Sequence, residues 1–261
     1  MHPLLYECEL WGYNIPVLAY TFFTSLAAVI VLALSFFIAV RRGLPAVKTL
    51  LCLLTMAAFF VLGARIYYLA ANLPIYRTYP ELLLKMAGFS LSGGLVAAPL
   101  AGLAVCRYLR LDLWRLADAI APALGLGIAV ARVGCFLNGC CFGNPTTVPW
   151  GIIFPPESGA AAAPAHPTQL YELIAALAGA ALAFFLLRRR TAPGTAFAAF
   201  FLWFITARWA IFLFRAPEPH QELPPLFTPL FFAALTTAGT ALLLLRLRAA
   251  ASAGRKAKKT L

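Results

Sequence analysis

The sequence predicts an all-α protein, a polytopic bundle of about seven transmembrane helices forming one integral membrane domain over residues 1–261. Three observations carry this prediction. Hydrophobic residues make up 62% of the chain and charged ones 11%, with a mean hydropathy of +0.85, too little polar surface for a soluble globule. The hydrophobic residues fall in runs close to the ~20 residues that cross a bilayer. Successive connections between the runs are alternately rich and poor in lysine and arginine, as cytoplasmic and external loops are.

The runs are 17–40, 50–69, 89–105, 117–136, 170–187, 195–214 and 226–245. The first has no basic segment before it and ends in Arg41-Arg42 without a small-residue cleavage site, which marks a retained helix rather than a removed signal. The connections 109–118 and 188–194 are basic and short, suited to adjacent antiparallel helices. The fourth and fifth spans are separated by 138–167, the longest connection. It is rich in Gly, Pro and Ala and devoid of Lys and Arg, a candidate lid or peptide-docking surface. Residues 246–261 form a basic cytoplasmic tail that reads as a membrane-surface anchor. No repeated unit is evident, which disfavours an inverted-repeat transporter.

Charge sets the expected orientation. One set of loops holds Arg41, Arg42 and Lys48, then Arg107, Arg110 and Arg115, then Arg188 to Arg190, then Arg246, Arg248, Arg255, Lys256, Lys258 and Lys259. The other holds Arg77, Lys85 and Arg215. Seven spans therefore place the N-terminus outside and the C-terminus in the cytoplasm. The net charge of +12 is then a topology signal with an attraction to anionic headgroups, and nucleic-acid binding is not expected.

Against this background Arg65, Arg132 and Arg208 stand out, because each lies in a strongly apolar stretch. An arginine at mid-bilayer costs about 2.5–3.5 kcal/mol on insertion scales, so its retention points to a polar interior or a ligand. Topology puts all three in the outer half of the membrane, where Tyr20, Ser92, His166, Tyr171 and Glu172 also fall near the ends of their spans. The bland alternative is that the arginines snorkel to the outer headgroups and anchor the helices. The convergence favours an anion site, with a lipid phosphate as its natural ligand. The densest motif is 131–145, Ala-Arg-Val-Gly-Cys-Phe-Leu-Asn-Gly-Cys-Cys-Phe-Gly-Asn-Pro. Arg132 and Cys135 share a helix face there, and Gly134, Gly139 and Gly143 allow close approach or positive φ where helix gives way to loop. Gly93-Gly94 after Ser92 makes a second, weaker place for amide donors to meet an anion.

These residues resemble the bacterial prolipoprotein diacylglyceryl transferase family over most of the chain. Arg132, Gly134, Cys135, Phe136 and Gly139 match its Gly-Arg signature, with the Asp118 to Pro122 segment upstream. The run 166–172, His-Pro-Thr-Gln-Leu-Tyr-Glu, is similar to a second signature, and Gly63-Ala64-Arg65 with Tyr67-Tyr68 to a third. Arg208 and Arg215, followed by Pro217, match a late arginine pair. The resemblance implies a plasma (inner) membrane enzyme with its site toward the outer leaflet, acting without a cofactor. In the implied reaction the lipobox thiol of a prolipoprotein signal peptide attacks the glycerol carbon of phosphatidylglycerol next to its phosphate, forming a thioether and releasing glycerol phosphate. On this reading Arg132 and Arg208 are the expected catalytic residues with His166 as a candidate proton acceptor, and Arg65, Tyr20, Ser92, Gly93, Gly94, Cys135, Asn138, Gly143, Tyr171 and Arg215 the expected substrate-binding ones. Arginine suits the task, since its planar fork binds two phosphate oxygens and stays charged.

Three positions depart from the family pattern. Ser92 stands where a histidine precedes the glycine pair, so the proton acceptor is His166, or the phosphate or a water, or the usual activity is lost. Phe204 replaces a tyrosine, and Phe212 replaces a glutamate, removing an expected carboxylate partner of Arg208. Arg208 is then either more available to phosphate or less well held. These departures support the competing reading of a non-catalytic relative that binds lipid phosphate or a lipoprotein segment. Of the six cysteines, Cys52 and Cys106 read as small apolar residues within spans. Cys135, Cys140 and Cys141 cluster near the outer face with Cys8 as a possible disulfide partner, and the bland reading is a structural staple. The Cys-x4-Cys-Cys spacing fits neither a redox motif nor a usual zinc pair, so no metal is predicted.

Overall fold

The computed structural model describes residues 4–10, 13–84, 88–155, 163–189, 191–216 and 227–259. Lys85, Arg190 and Pro217, and the side chains of Cys8 and of the basic tail beyond Ser252, lie outside the described residues. Among the described residues, seven helices are long and apolar enough to cross a membrane: α1 Ala19–Arg41, α2 Ala46–Ala71, α4 Leu91–Leu109, α5 Leu113–Asn138, α6 Thr168–Arg188, α7 Thr195–Phe212 and α8 Phe227–Lys259. Between α2 and α4 lie a short helix, α3 Leu73–Thr78, and a 3₁₀ turn, Pro80–Leu84.

Two features were not expected. An antiparallel hairpin, β1 Leu4–Leu10 and β2 Tyr13–Leu18, precedes the first helix. Its first strand alternates apolar Leu4, Tyr6 and Cys8 with Glu7 and Glu9, the period of two that a strand requires. At the other end α8 continues through the basic tail instead of stopping at 245, because that stretch is rich in Ala, Leu, Arg and Lys, all good helix formers.

The chain divides into two compact units, one of residues 36–116 and one of 1–35 with 117–261. In the first, α2 and α4 cross at glycines. A Cβ on Gly93 would collide with the Gly63 carbonyl oxygen and lie 2.5 Å from Tyr67 Cβ, while one on Gly94 would lie 2.9 Å from the Phe60 carbonyl oxygen. Small residues let membrane helices approach closely enough for dispersion to hold them, since lipid supplies no hydrophobic drive between helices. In the second, Ala121 of α5, Ala183 of α6 and Phe200 of α7 form a buried core, and Gly179 of α6 packs on Phe200 and Trp203. Asp118, fully buried in α5, accepts from the backbone N–H groups of Gly194 (2.8 Å) and Phe197 (2.9 Å) at the start of α7. A carboxylate on these orphan donors complements the helix dipole, which accounts structurally for an acid inside an apolar span.

Candidate functional site

Glu172 sits in the second turn of α6 with its side chain 3% exposed. Three guanidinium groups converge on it. Arg132, in the last two turns of α5, places Nη2 2.5 Å from Oε2. Arg208, one turn before the end of α7, pairs through Nη1 with Oε1, and Arg215 just beyond α7 approaches Oε1 at 3.8 Å. The arginine side chains are themselves 13–30% exposed. Three positive charges and one negative sum to +2 over these four groups, in surroundings where water screens little. That excess can bind an anion, and the planar forks can present two N–H donors to one phosphate or carboxylate. Arg208 thus has a carboxylate after all, contrary to what Phe212 led us to expect. It comes from α6 rather than from its own helix, and the Phe212 ring instead lies 5.7 Å from Phe232 of α8.

The connection after α5 locks this cluster in place. Gly143 pairs with Arg215 in an antiparallel bridge, and Asn144 N–H donates to the Phe214 carbonyl (2.8 Å). Gly143 N–H donates to the His166 carbonyl (2.8 Å), and His166 N–H to that of Asn144 (3.1 Å). A Cβ at Gly143 would run into the Phe214 carbonyl oxygen and lie 2.7 Å from His166 Cβ, so the close approach requires glycine. His166 Nδ1 lies 3.1 Å from Tyr171 Oη, which accepts from Trp150 Nε1 at 2.8 Å. Two tautomers satisfy this chain. With Nδ1 accepting from the tyrosine hydroxyl, Nε2 carries the proton; with Nδ1–H donating, Nε2 is open to accept one.

Cys135 in the last turn of α5 and Cys140 and Cys141 just after it bring their sulfurs within 4.8 Å of one another as free thiols, the one cysteine cluster with metal-ligand geometry among the described residues. Arg132 Nη1 reaches Cys135 Sγ at 3.7 Å. Cys141 has φ +65°, a conformation that costs a non-glycine residue about 1–2 kcal/mol. Anchors from α6 hold it, with Thr168 Oγ1 donating to the Cys141 carbonyl (2.6 Å) and Gln169 Nε2 to that of Cys140 (2.7 Å). Hydrogen bonds from Cys135 and Cys140 lower the Cys141 pKa, and Arg215 and Arg132 act in the same direction.

The remaining candidates divide clearly. Tyr20 starts α1 half exposed, with its Cα 3.4 Å from the Cβ that Gly134 lacks, so it flanks the last turn of α5. Asn138 ends α5 and is exposed. Arg65, Ser92, Gly93 and Gly94 belong to the other unit. There Arg65 donates from Nη1 to the Gly88 carbonyl (3.0 Å) and from Nη2 to that of Leu83 (3.2 Å), with its guanidinium carbon about equidistant from the Tyr76 and Phe89 rings. Ser92 is exposed in the first turn of α4, and the two glycines are accounted for by the crossing with α2. Sequence reasoning noted Glu172 but did not see it as the hub. The available signal was a lone carboxylate within an apolar span, which demands a partner.

The chain's sequence matches a known family. The model of the family described as prolipoprotein diacylglyceryl transferase matches residues 9–250. A phosphatidylglycerol–prolipoprotein diacylglyceryl transferase of Geobacter sulfurreducens is 36% identical over 191 residues, covering 70% of this chain and 72% of that one. Enzymes of the same name from Pseudomonas putida and from the Wolbachia of Brugia malayi are each 35% identical, over 60% of this chain and 60% and 62% of theirs.

Proposed function

The chain belongs to the prolipoprotein diacylglyceryl transferase family, and on that premise we propose that it transfers the diacylglyceryl group of phosphatidylglycerol to the lipobox cysteine of prolipoproteins. The substrates are taken from the names of its relatives, and one observation supports their use here: three arginines grouped on one buried glutamate. The enzyme works as a multi-pass protein of the bacterial inner membrane, one membrane domain with its site toward the outer leaflet. The distribution of lysine and arginine supports that orientation.

The peptide sulfur attacks the glycerol carbon attached to the phosphate oxygen, a C–S bond forms as the C–O bond breaks, and the electron pair leaves on glycerol phosphate. Negative charge grows on the departing oxygen, and Arg132 and Arg208 meet it with donors already held by Glu172, so no reorganisation is required at that moment. Arg215 holds the headgroup, while the Gly143 and Asn144 amides are spent on the His166 and Phe214 carbonyls. The thiol proton goes to His166 Nε2 in the tautomer whose Nδ1–H is donated to Tyr171, and Ser92 takes no part as a base. Arg65 and the Gly93-Gly94 pair of α4 contribute to lipid binding through the fold of their own unit.

The test is mass-spectrometric detection of a diacylglyceryl adduct on a lipobox peptide incubated with the purified protein and phosphatidylglycerol. One well-aimed donor is worth about 2.7–4 kcal/mol, so Arg132→Ala should slow adduct formation about 100- to 1,000-fold, while Ser92→Ala leaves it within a few-fold. Folded, lipid-binding protein that makes no adduct would instead establish the non-catalytic relative.

A further inference from the structure

We propose that Cys135, Cys140 and Cys141 form a three-thiolate site for a soft, thiophilic metal ion, best suited to Cu(I). Their sulfurs already lie within 4.8 Å of one another. A metal–sulfur bond of about 2.3 Å places the sulfurs of a trigonal site about 4 Å apart, so closing the site needs only small side-chain rotations. Thiolate is the donor that selects Cu(I) among biological ions, whereas a zinc site ordinarily completes four ligands. The nearby carboxylate, Glu172, is occupied by Arg132 and Arg208 and is not offered as a fourth ligand.

The spacing Cys-x4-Cys-Cys carries no metal signature in sequence, and backbone geometry creates the site. Positive φ at Cys141 turns its sulfur back toward the other two, and hydrogen bonds from Thr168 and Gln169 to the carbonyls of Cys141 and Cys140 hold that turn. The ligands are therefore organised before any ion arrives. Cys135 is buried and the other two are half-buried, giving an ion that enters past Cys140 and Cys141 a shielded seat. On binding, each thiol releases its proton to solvent and copper stays in the +1 state, so the occupied site carries a charge of −2 beside Arg132. Metal binding is read without the transferase reaction, although Arg132 adjoins both the thiols and Glu172.

The full-length protein, reduced and kept anaerobic in detergent micelles, is titrated with Cu(I) against a chromogenic Cu(I) chelator, with Zn(II) in a parallel arm. We expect one equivalent of Cu(I). Cys140→Ser and Cys141→Ser should each weaken binding at least about a hundredfold, since even the groups behind metal ligands are worth 10- to 100-fold. Cys52→Ala with Cys106→Ala, which removes a buried thiol pair 3.7 Å apart elsewhere in the chain, should change nothing. Circular dichroism and thermal unfolding of each variant separate loss of the ligand from loss of the fold. The proposal is overturned by reduced, folded protein that binds no stoichiometric Cu(I), by unchanged affinity in the folded serine variants, by preference for Zn(II), or by a disulfide among the three that resists reduction.

Discussion

Two parts of this molecule hold arginine in apolar helices and stabilise it differently. In the unit of residues 36–116, Arg65 donates to two backbone carbonyls and lies near two aromatic rings, so its charge is met by dipoles and its N–H groups tie a connection together. In the other unit, Arg132, Arg208 and Arg215 share one carboxylate. The first arrangement satisfies an arginine, whereas the second accumulates charge. An arginine within a membrane segment can thus be held by backbone carbonyls as well as by a carboxylate. What distinguishes the site is three guanidinium groups gathered on one carboxylate among the described residues, an arrangement suited to binding an anion.

The strongest way to break this contrast is to remove the hub. Glu172→Gln leaves three guanidinium groups packed together without their carboxylate, and loss of one partner from a buried ion pair costs about 3–5 kcal/mol. Denaturation of the protein in micelles should register that loss, and added anionic lipid should recover part of it. A variant as stable as the parent would mean that the three arginines are balanced by other groups. Gly93→Ala probes the opposite region. Its Cβ has no room against Gly63 and Tyr67, so overpacking should cost about 1–3 kcal/mol of stability. Affinity for phosphatidylglycerol in the folded fraction should hold. A selective loss of lipid affinity would instead make the glycine amides part of the site.

How much of this was legible beforehand depends on distance along the chain. The spans depend on local composition, and 117–136 and 195–214 were found as Leu113–Asn138 and Thr195–Phe212. The hairpin escaped because its alternation of Glu7 and Glu9 with apolar neighbours is too short to compete with a search for 20-residue runs. Arg132, Arg208 and His166 were legible as chemistry that does not belong in lipid. Their convergence at one end of the spans was legible from topology, but the carboxylate that Arg132 and Arg208 share was not, since Glu172 and Arg208 are 36 residues apart and meet only when α6 and α7 pack. The same holds for Asp118, whose partners at the start of α7 lie 76 and 79 residues away.

Arg65→Ala sharpens the comparison at lower cost. It removes the charge-assisted hydrogen bonds to the Gly88 and Leu83 carbonyls from a partly exposed side chain, so we expect a loss of about 1–2 kcal/mol in stability. The transfer rate of the folded enzyme should fall less than tenfold, against the 100-fold or more expected for Arg132→Ala. Equal losses in rate would erase the distinction between a dipole-held arginine and a charge-accumulating one.

The smallest effect tests how finely the site is tuned. Tyr171 Oη accepts from Trp150 and faces His166 Nδ1, so Tyr171→Phe deletes the group that chooses between the two histidine tautomers. A single hydrogen bond contributes about 0.5–1.5 kcal/mol net, which caps the expected loss of rate near tenfold. The sign carries the information. If Nδ1–H donates to the hydroxyl and Nε2 accepts the substrate proton, the variant loses that bias and slows. If the hydroxyl instead donates to Nδ1, its removal frees a proton-accepting nitrogen and the rate holds or rises. Measured beside Trp150→Phe, which leaves the hydroxyl in place but removes its donor, a slower Tyr171→Phe enzyme would support His166 as the group that receives the thiol proton.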